Sequence, residues 1–138
     1  MPDIKLIHLE KNNYRVPTLK HHKFIGIDTE FMREKTFFAQ LCLIQIAAKK
    51  KIFIIDPIDA KNLDKLWKTL SHSTWILHAA RQDIEVVYQS SRKMPNKIFD
   101  TQIAAGILGF TPQIGYSTLV EELFGVTLQK SQTRANWT

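Results

Sequence analysis

Two carboxylates, Asp28 and Glu30, stand two residues apart inside the apolar run Phe24-Ile25-Gly26-Ile27-Asp28-Thr29-Glu30-Phe31. Such a run reads as a strand, where side chains alternate between faces, so both acids project to the same side roughly 7 Å apart along the backbone. Ile25, Ile27 and Phe31 take the other face and can pack under a helix. Like charges on a strand this apolar repel each other, and desolvation raises the cost. A bound divalent cation removes both penalties. Exposure to water on an edge strand would also relieve them, and these residues alone leave the two explanations open.

A second group, His78-Ala79-Ala80-Arg81-Gln82-Asp83, puts a histidine where a strand ends and an acid in the first turn of the next helix. In open α/β sheets, ligand sites gather outside strand ends. An acid in a first helical turn is equally favoured by the helix dipole, and His78 could be a buried histidine with satisfied nitrogens. Asp100 follows Ile98-Phe99 and precedes Thr101-Gln102, which reads as a structural N-cap rather than a third ligand.

The elements that must position these residues follow from periodicity and punctuation. Ile4–Leu9, Phe24–Phe31, Leu41–Ala48, Lys51–Pro57, Thr74–His78 and Ile98–Phe99 read as strands, the third and fourth joined as a hairpin through Lys49, Lys50 and Lys51. Asn12, Asn13 and Pro17 keep any helix over Glu10–Lys20 short or broken. Helices are expected over Ala60–Ser71, over Gln82–Ser91 with Ile84, Val87 and Tyr88 inward, over Thr101–Leu108, and from a Ser117 cap to Gly125. An antiparallel meander followed by alternating helices and strands gives a mixed sheet covered by helices; the ribonuclease H-like α/β fold is the best-known architecture that begins this way, and element order alone leaves other α/β folds open.

At 138 residues and 44% apolar content the chain forms one domain with a real core. No apolar run is long enough to span a bilayer, and Asp3 and Lys5 interrupt the place of a signal peptide. Cys42 is the only cysteine, which excludes an intramolecular disulfide and a cysteine zinc cluster; a cytoplasmic location is the simplest expectation. Nineteen Lys and Arg against 13 Asp and Glu give +6, which suits a polyanionic partner and equally suits simple solubility.

Several motifs in register carry a family resemblance. Ile27 through Arg33, with Thr36, Phe37, Leu41, Leu43, Ile44 and Gln45, looks like the first exonuclease motif of ribonuclease D; His78 through Asp83, continuing to Val86, resembles the second. Asp100-Thr101-Gln102, Gly125 through Ser131, Arg134 and Trp137 also match in order and spacing, so the resemblance runs from about Phe24 to the C-terminus. It points to the tyrosine-containing branch of the DEDD exonucleases. That resemblance implies 3′→5′ exoribonuclease chemistry on RNA, such as tRNA 3′ ends, with four acidic ligands, two divalent ions and a tyrosine that helps position the attacking water. It assigns the first three acids to Asp28, Glu30 and Asp83. Ions roughly 4 Å apart would activate the nucleophile and stabilise the leaving oxygen, and Mg²⁺ or Mn²⁺ suits an all-carboxylate site better than zinc. Met32, sharing the parity of Glu30, and His78 are expected to border the cleft. Lys130 and Arg134 are placed to reach substrate phosphates, or are solvated.

Departures from the family pattern are Ala39 where Pro is favoured, Ala80 where Gly is favoured, and Asn136 where Asp is common. The family's tyrosine and fourth acid come from a Tyr-x-x-x-Asp motif beyond the position of Trp137, and neither Tyr88 nor Tyr116 has an Asp four residues later. The expectation is therefore one exonuclease domain over residues 1–138 without its third motif, and with impaired turnover. The alternatives are a nucleic-acid-binding fragment without activity and a scaffold that uses neither metal nor RNA.

Overall fold

The computed structural model describes residues 2–12, 14–19, 21–33 and 39–129. Six strands form one sheet: β1 (Asp3–His8), β2 (Phe24–Met32), β3 (Gln40–Ala48), β4 (Lys51–Asp56), β5 (Thr74–Leu77) and β6 (Ile98–Asp100), in the order β1-β4-β3-β2-β5-β6. β2, β3 and β4 make the expected antiparallel meander, while β1 joins β4, and β5 and β6 join β2, in parallel. All strands except β3 therefore run the same way, and their carboxyl ends share one rim. A one-residue irregularity opposite Glu30 and Phe31 leaves Cys42 without a partner, so the consecutive Leu41 and Cys42 are both buried.

Alternation sorts the sheet into two unlike faces. Ile25, Ile27, Ile44, Ile46, Phe53 and Ile55 point into the main core, where they meet Leu66, Trp67 and Leu70 of α1 (Asp64–Leu70) and Val86 and Val87 of α2 (Arg81–Ser91). The opposite face carries Asp28 and Glu30. On that face Ile4, Leu6, Phe24 and Phe99 are each at least half exposed. A smaller core of Ala105, Ile114 and Leu119 joins α3 (Thr101–Ile107) to α4 (Tyr116–Phe124).

Three local expectations are corrected. α1 starts at Asp64 rather than Ala60, because the Asn62 side chain accepts the Asp64 amide at 2.7 Å and holds the preceding residues in a turn. The inward stripe of α2 is Asp83, Val86 and Val87, with Ile84 only partly buried and Tyr88 45% exposed. That stripe follows from Asp83 being turned onto β2, which carries Tyr88 outward under the Arg92 guanidinium. α4 is preceded by Gly115 without a side-chain cap, and Ser117 lies inside its first turn. Its other end is as expected, at Gly125 with φ +68°, a left-handed conformation that costs a glycine nothing.

Candidate active site

β2 delivers Asp28 and Glu30 near its carboxyl end on the face away from the core, and Thr29 between them points inward and is buried. Beside this stretch the ladder to β5 has already ended, since the last pair is Gly26 with Ile76. Asp83, in the first turn of α2, enters that gap. Its Oδ1 accepts two hydrogen bonds from Thr29, one from the backbone amide at 3.1 Å and one from the hydroxyl at 2.6 Å. Asp83 is itself buried, so a carboxylate from a sequence-distant helix is fixed against Thr29, the residue that separates the two acids of the strand.

Asp28 and Glu30 both sense the charge of Asp83. Desolvation, then the charges of Asp83 and Glu30, push the Asp28 carboxyl up to about 6. Glu30 is raised by desolvation and then by Asp83. Asp83 is raised mainly by burial, against the hydrogen bonds from Thr29 that favour its charged form. Coupled carboxylates that resist ionisation are a donor set suited to a hard divalent cation, whose charge would reverse each of these penalties. In this conformation the side chains stand apart from a finished cage: among the described residues no three His, Cys, Asp or Glu groups lie close enough to hold a metal ion.

The turn before Asp83 is held from the next strand. Asp100 caps α3 by accepting the Gln102 and Ile103 amides, and it also accepts the amides of Ala79 and Ala80 at 3.1 and 2.9 Å. Burial acts to raise its carboxyl, but the amides of Ala80, Ala79, Gln102 and Ile103 outweigh it and hold Asp100 below the usual carboxylate value. Ala79 adopts φ +56°, a strained conformation for a residue with a Cβ, and Asp100 grips the turn at that point. The sequence identified Asp100 as a cap; its reach back to Ala79 and Ala80 had no signal within its own segment.

His78 is half-buried with both ring nitrogens engaged. Nε2 lies 2.8 Å from the Ile114 carbonyl, which only accepts, so that nitrogen carries the proton; Nδ1 lies 2.8 Å from the Thr101 hydroxyl. The Tyr116 ring meets the imidazole edge-on at 5.6 Å between centroids. His78 thus ties β5 to α3 and to the loop before α4. Met32 is half-buried at the end of β2. Lys130 and Arg134 lie outside the described residues, as do Thr36, Phe37, Ser131, Asn136 and Trp137 of the motif pattern. Thr29 escaped the sequence reading because it served there only as the spacer between two acids. The available signal was a hydroxyl on a face otherwise made of Ile and Phe.

A model of the 3′-5′ exonuclease family matches residues 10–138. Ribonuclease D of Bartonella henselae is 42% identical over 123 residues, covering 87% of this chain and 30% of that protein. Among solved structures, Escherichia coli RNase D, described as an exoribonuclease involved in structured RNA processing, superimposes with a TM-score of 0.80 at 36% identity, over 86% of this chain and 32% of that one. Brucella melitensis NrnC with bound Mg²⁺ matches with a TM-score of 0.74 at 25% identity, over 98% of this chain and 66% of that one. The mixed sheet is thereby that of ribonuclease H-like exonucleases. The chain spans about a third of the length of the curated relatives it matches.

Proposed function

The chain belongs to the 3′-5′ exonuclease family, and from that membership we propose that it supplies the core of a metal-dependent 3′→5′ exoribonuclease. The observation that carries this reading is that Asp28 and Glu30 share one face near the carboxyl end of β2 while Asp83 is hydrogen-bonded to Thr29 between them, each of the three carboxyls being held above its ordinary proton affinity. Family members are divalent-metal dependent, and we assign Mg²⁺ or Mn²⁺ to these three acids. When bound, such ions activate a water and neutralise charge on the leaving oxygen of a phosphodiester.

The protein's own residues have the work of holding and orienting. Asp28 and Glu30 would present oxygens from a rigid strand, and Asp83 would add a third from α2, its position fixed by Thr29. Met32 and His78 border this rim, and we assign them to the groove for the 3′ end; with its nitrogens satisfied internally, His78 has only its ring faces to offer a base. Lys130 and Arg134 are proposed to hold phosphates as charge-assisted donors. RNA is the proposed substrate class, tRNA 3′ ends in particular, met in the cytoplasm, and residues 1–138 are proposed to form one exonuclease domain. Among the described residues no helix is long and apolar enough to cross a membrane.

A second reading, RNA binding without turnover, is favoured by one observation: among the described residues no three acidic or histidine groups stand at metal-holding distance. A 3′-end-labelled single-stranded RNA incubated with Mg²⁺ or Mn²⁺ separates the two. Stepwise shortening from the 3′ end, lost on Asp28→Asn, supports the enzyme. Binding without shortening supports the second reading, and shortening that survives Asp28→Asn removes the site assignment.

A further inference from the structure

The topology that gathers acids on one rim gathers lysines on the other. Because β1, β2, β4, β5 and β6 run together and β3 runs against them, the starts of five strands and the end of β3 share an edge. That edge carries Lys23 before β2, Lys49 and Lys50 in the turn from β3 to β4, Lys51 at the start of β4, and Lys97 before β6. All five are exposed, and none forms an ion pair with a described residue. Asp3, opposite Lys51 in the ladder, offsets one charge. A histidine lies buried beside it. The buried His22 has no partner for Nδ1 among the described residues, and its proton affinity is lowered by burial, then by His21, Lys49 and Lys51.

We propose that this lysine rim is a second RNA contact, taking the phosphate backbone of the body of a substrate whose 3′ end lies at the carboxylate rim. The inference rests on the exonuclease reading above. From β4 to β6 the rim spans four strand spacings, about 19 Å at roughly 4.8 Å each. One strand of a helical nucleic acid presents about six phosphates over that length, at about 3.4 Å per residue. Lys23 and Asp28 are five residues apart on one strand, about 17 Å, so a substrate would need a body beyond its last few nucleotides to touch both rims. Phe24, half exposed next to this edge with the Lys23 ammonium 5.4 Å from its ring centroid, adds an aromatic surface of the kind on which bases stack.

The test compares the unaltered chain with the triple variant Lys49→Gln, Lys50→Gln, Lys51→Gln. Two probes are used, a short single-stranded RNA and a hairpin with a single-stranded 3′ overhang, each across a salt series. Neutralising three phosphate contacts should weaken hairpin binding at least tenfold and flatten its dependence on log salt by about two, while Mn²⁺ affinity stays unchanged. The triple Lys→Arg variant should bind as the unaltered chain does, which controls for folding, and Lys23→Gln with Lys97→Gln should repeat the loss. Unchanged hairpin affinity and slope in both Gln variants overturn the proposal while leaving the exonuclease reading standing. An unaltered chain that binds neither RNA overturns both. Capture on anionic lipid vesicles with the same lysine dependence, and no loss on RNA, would make the rim a membrane contact instead.

Discussion

Thr29 gives both of its donors, amide and hydroxyl, to a single oxygen of Asp83 across 54 residues of chain. The pair joins the core face of β2 to the first turn of α2, and it leaves the second Asp83 oxygen without a Thr29 contact. A neutral hydroxyl thereby sets where Asp83, the acid proposed as the third ligand, stands.

Replacing that hydroxyl by a methyl at nearly constant volume isolates its contribution. Thr29→Val should weaken Mn²⁺ binding about tenfold, the usual size of an outer-shell effect, whereas Thr29→Ser should keep it within about threefold. Paramagnetic broadening in a Mn²⁺ titration gives both affinities. Equal losses in the Val and Ser variants would show that the threonine acts through packing alone.

The pH dependence of the metal-free protein has a defined sign. The folded Asp28 carboxyl titrates at about 6 against an ordinary 3.8, so between those values the folded state holds a proton that the unfolded chain has released. This group's favourable contribution is complete below the unfolded value and is lost as pH rises through 6. Glu30 and Asp83 are displaced in the same direction. Urea denaturation at pH 4.5 and pH 7 should therefore find that Asp28→Asn raises stability at pH 7 relative to the unaltered chain and narrows the difference at pH 4.5. A stability loss at pH 7 from Asp28→Asn would mean that the folded state does not disfavour the ionised Asp28 carboxylate.

Asp100 accepts four amides drawn from two turns. Asp100→Ala should cost about 2 kcal/mol or more, beyond an ordinary cap, because the amides of Ala79 and Ala80 lose their acceptor together with those of α3. Asp100→Asn, which keeps one acceptor oxygen, should cost less. Denaturant midpoints at constant m-value decide this, and a loss below roughly 0.5 kcal/mol for Asp100→Ala would contradict the clamp.

Ala79 holds a left-handed backbone at φ +56°. Ala79→Gly removes the Cβ conflict and should raise stability by up to about 1 kcal/mol, less the extra flexibility that glycine brings to the unfolded chain. A thermal midpoint that falls instead would show that the Ala79 methyl makes a contact worth more than the strain.

The 3′-trimming rate tests whether the three proposed acids suffice. If a Tyr-x-x-x-Asp helix completes the ligand set, residues 1–138 alone should trim RNA far more slowly than the same residues followed by such a helix, because groups that act as a unit lose most of the rate when one is absent. Equal rates from the two polypeptides would mean that a residue already present replaces the fourth acid.

The sequence by itself determined whatever depends on local period and punctuation. Asp28 and Glu30 share a face because strand side chains repeat every two residues; Asp100 caps α3 and Gly125 ends α4 through contacts within a few residues of their own backbone. Ile84, Val87 and Tyr88 matched helical spacing as well as Asp83, Val86 and Val87 do. Periodicity could not choose between those phases, because the choice lies in a contact with Thr29 on another element. Asp100 reaches Ala79 and Ala80 only because β5 and β6 pair in parallel with Leu77 beside Asp100. Lys23, Lys49, Lys50, Lys51 and Lys97 likewise form one edge only through strand direction and order. Tertiary structure decided these features because each joins groups from separate elements, and a one-dimensional pattern carries no term for the partner a side chain meets across the fold.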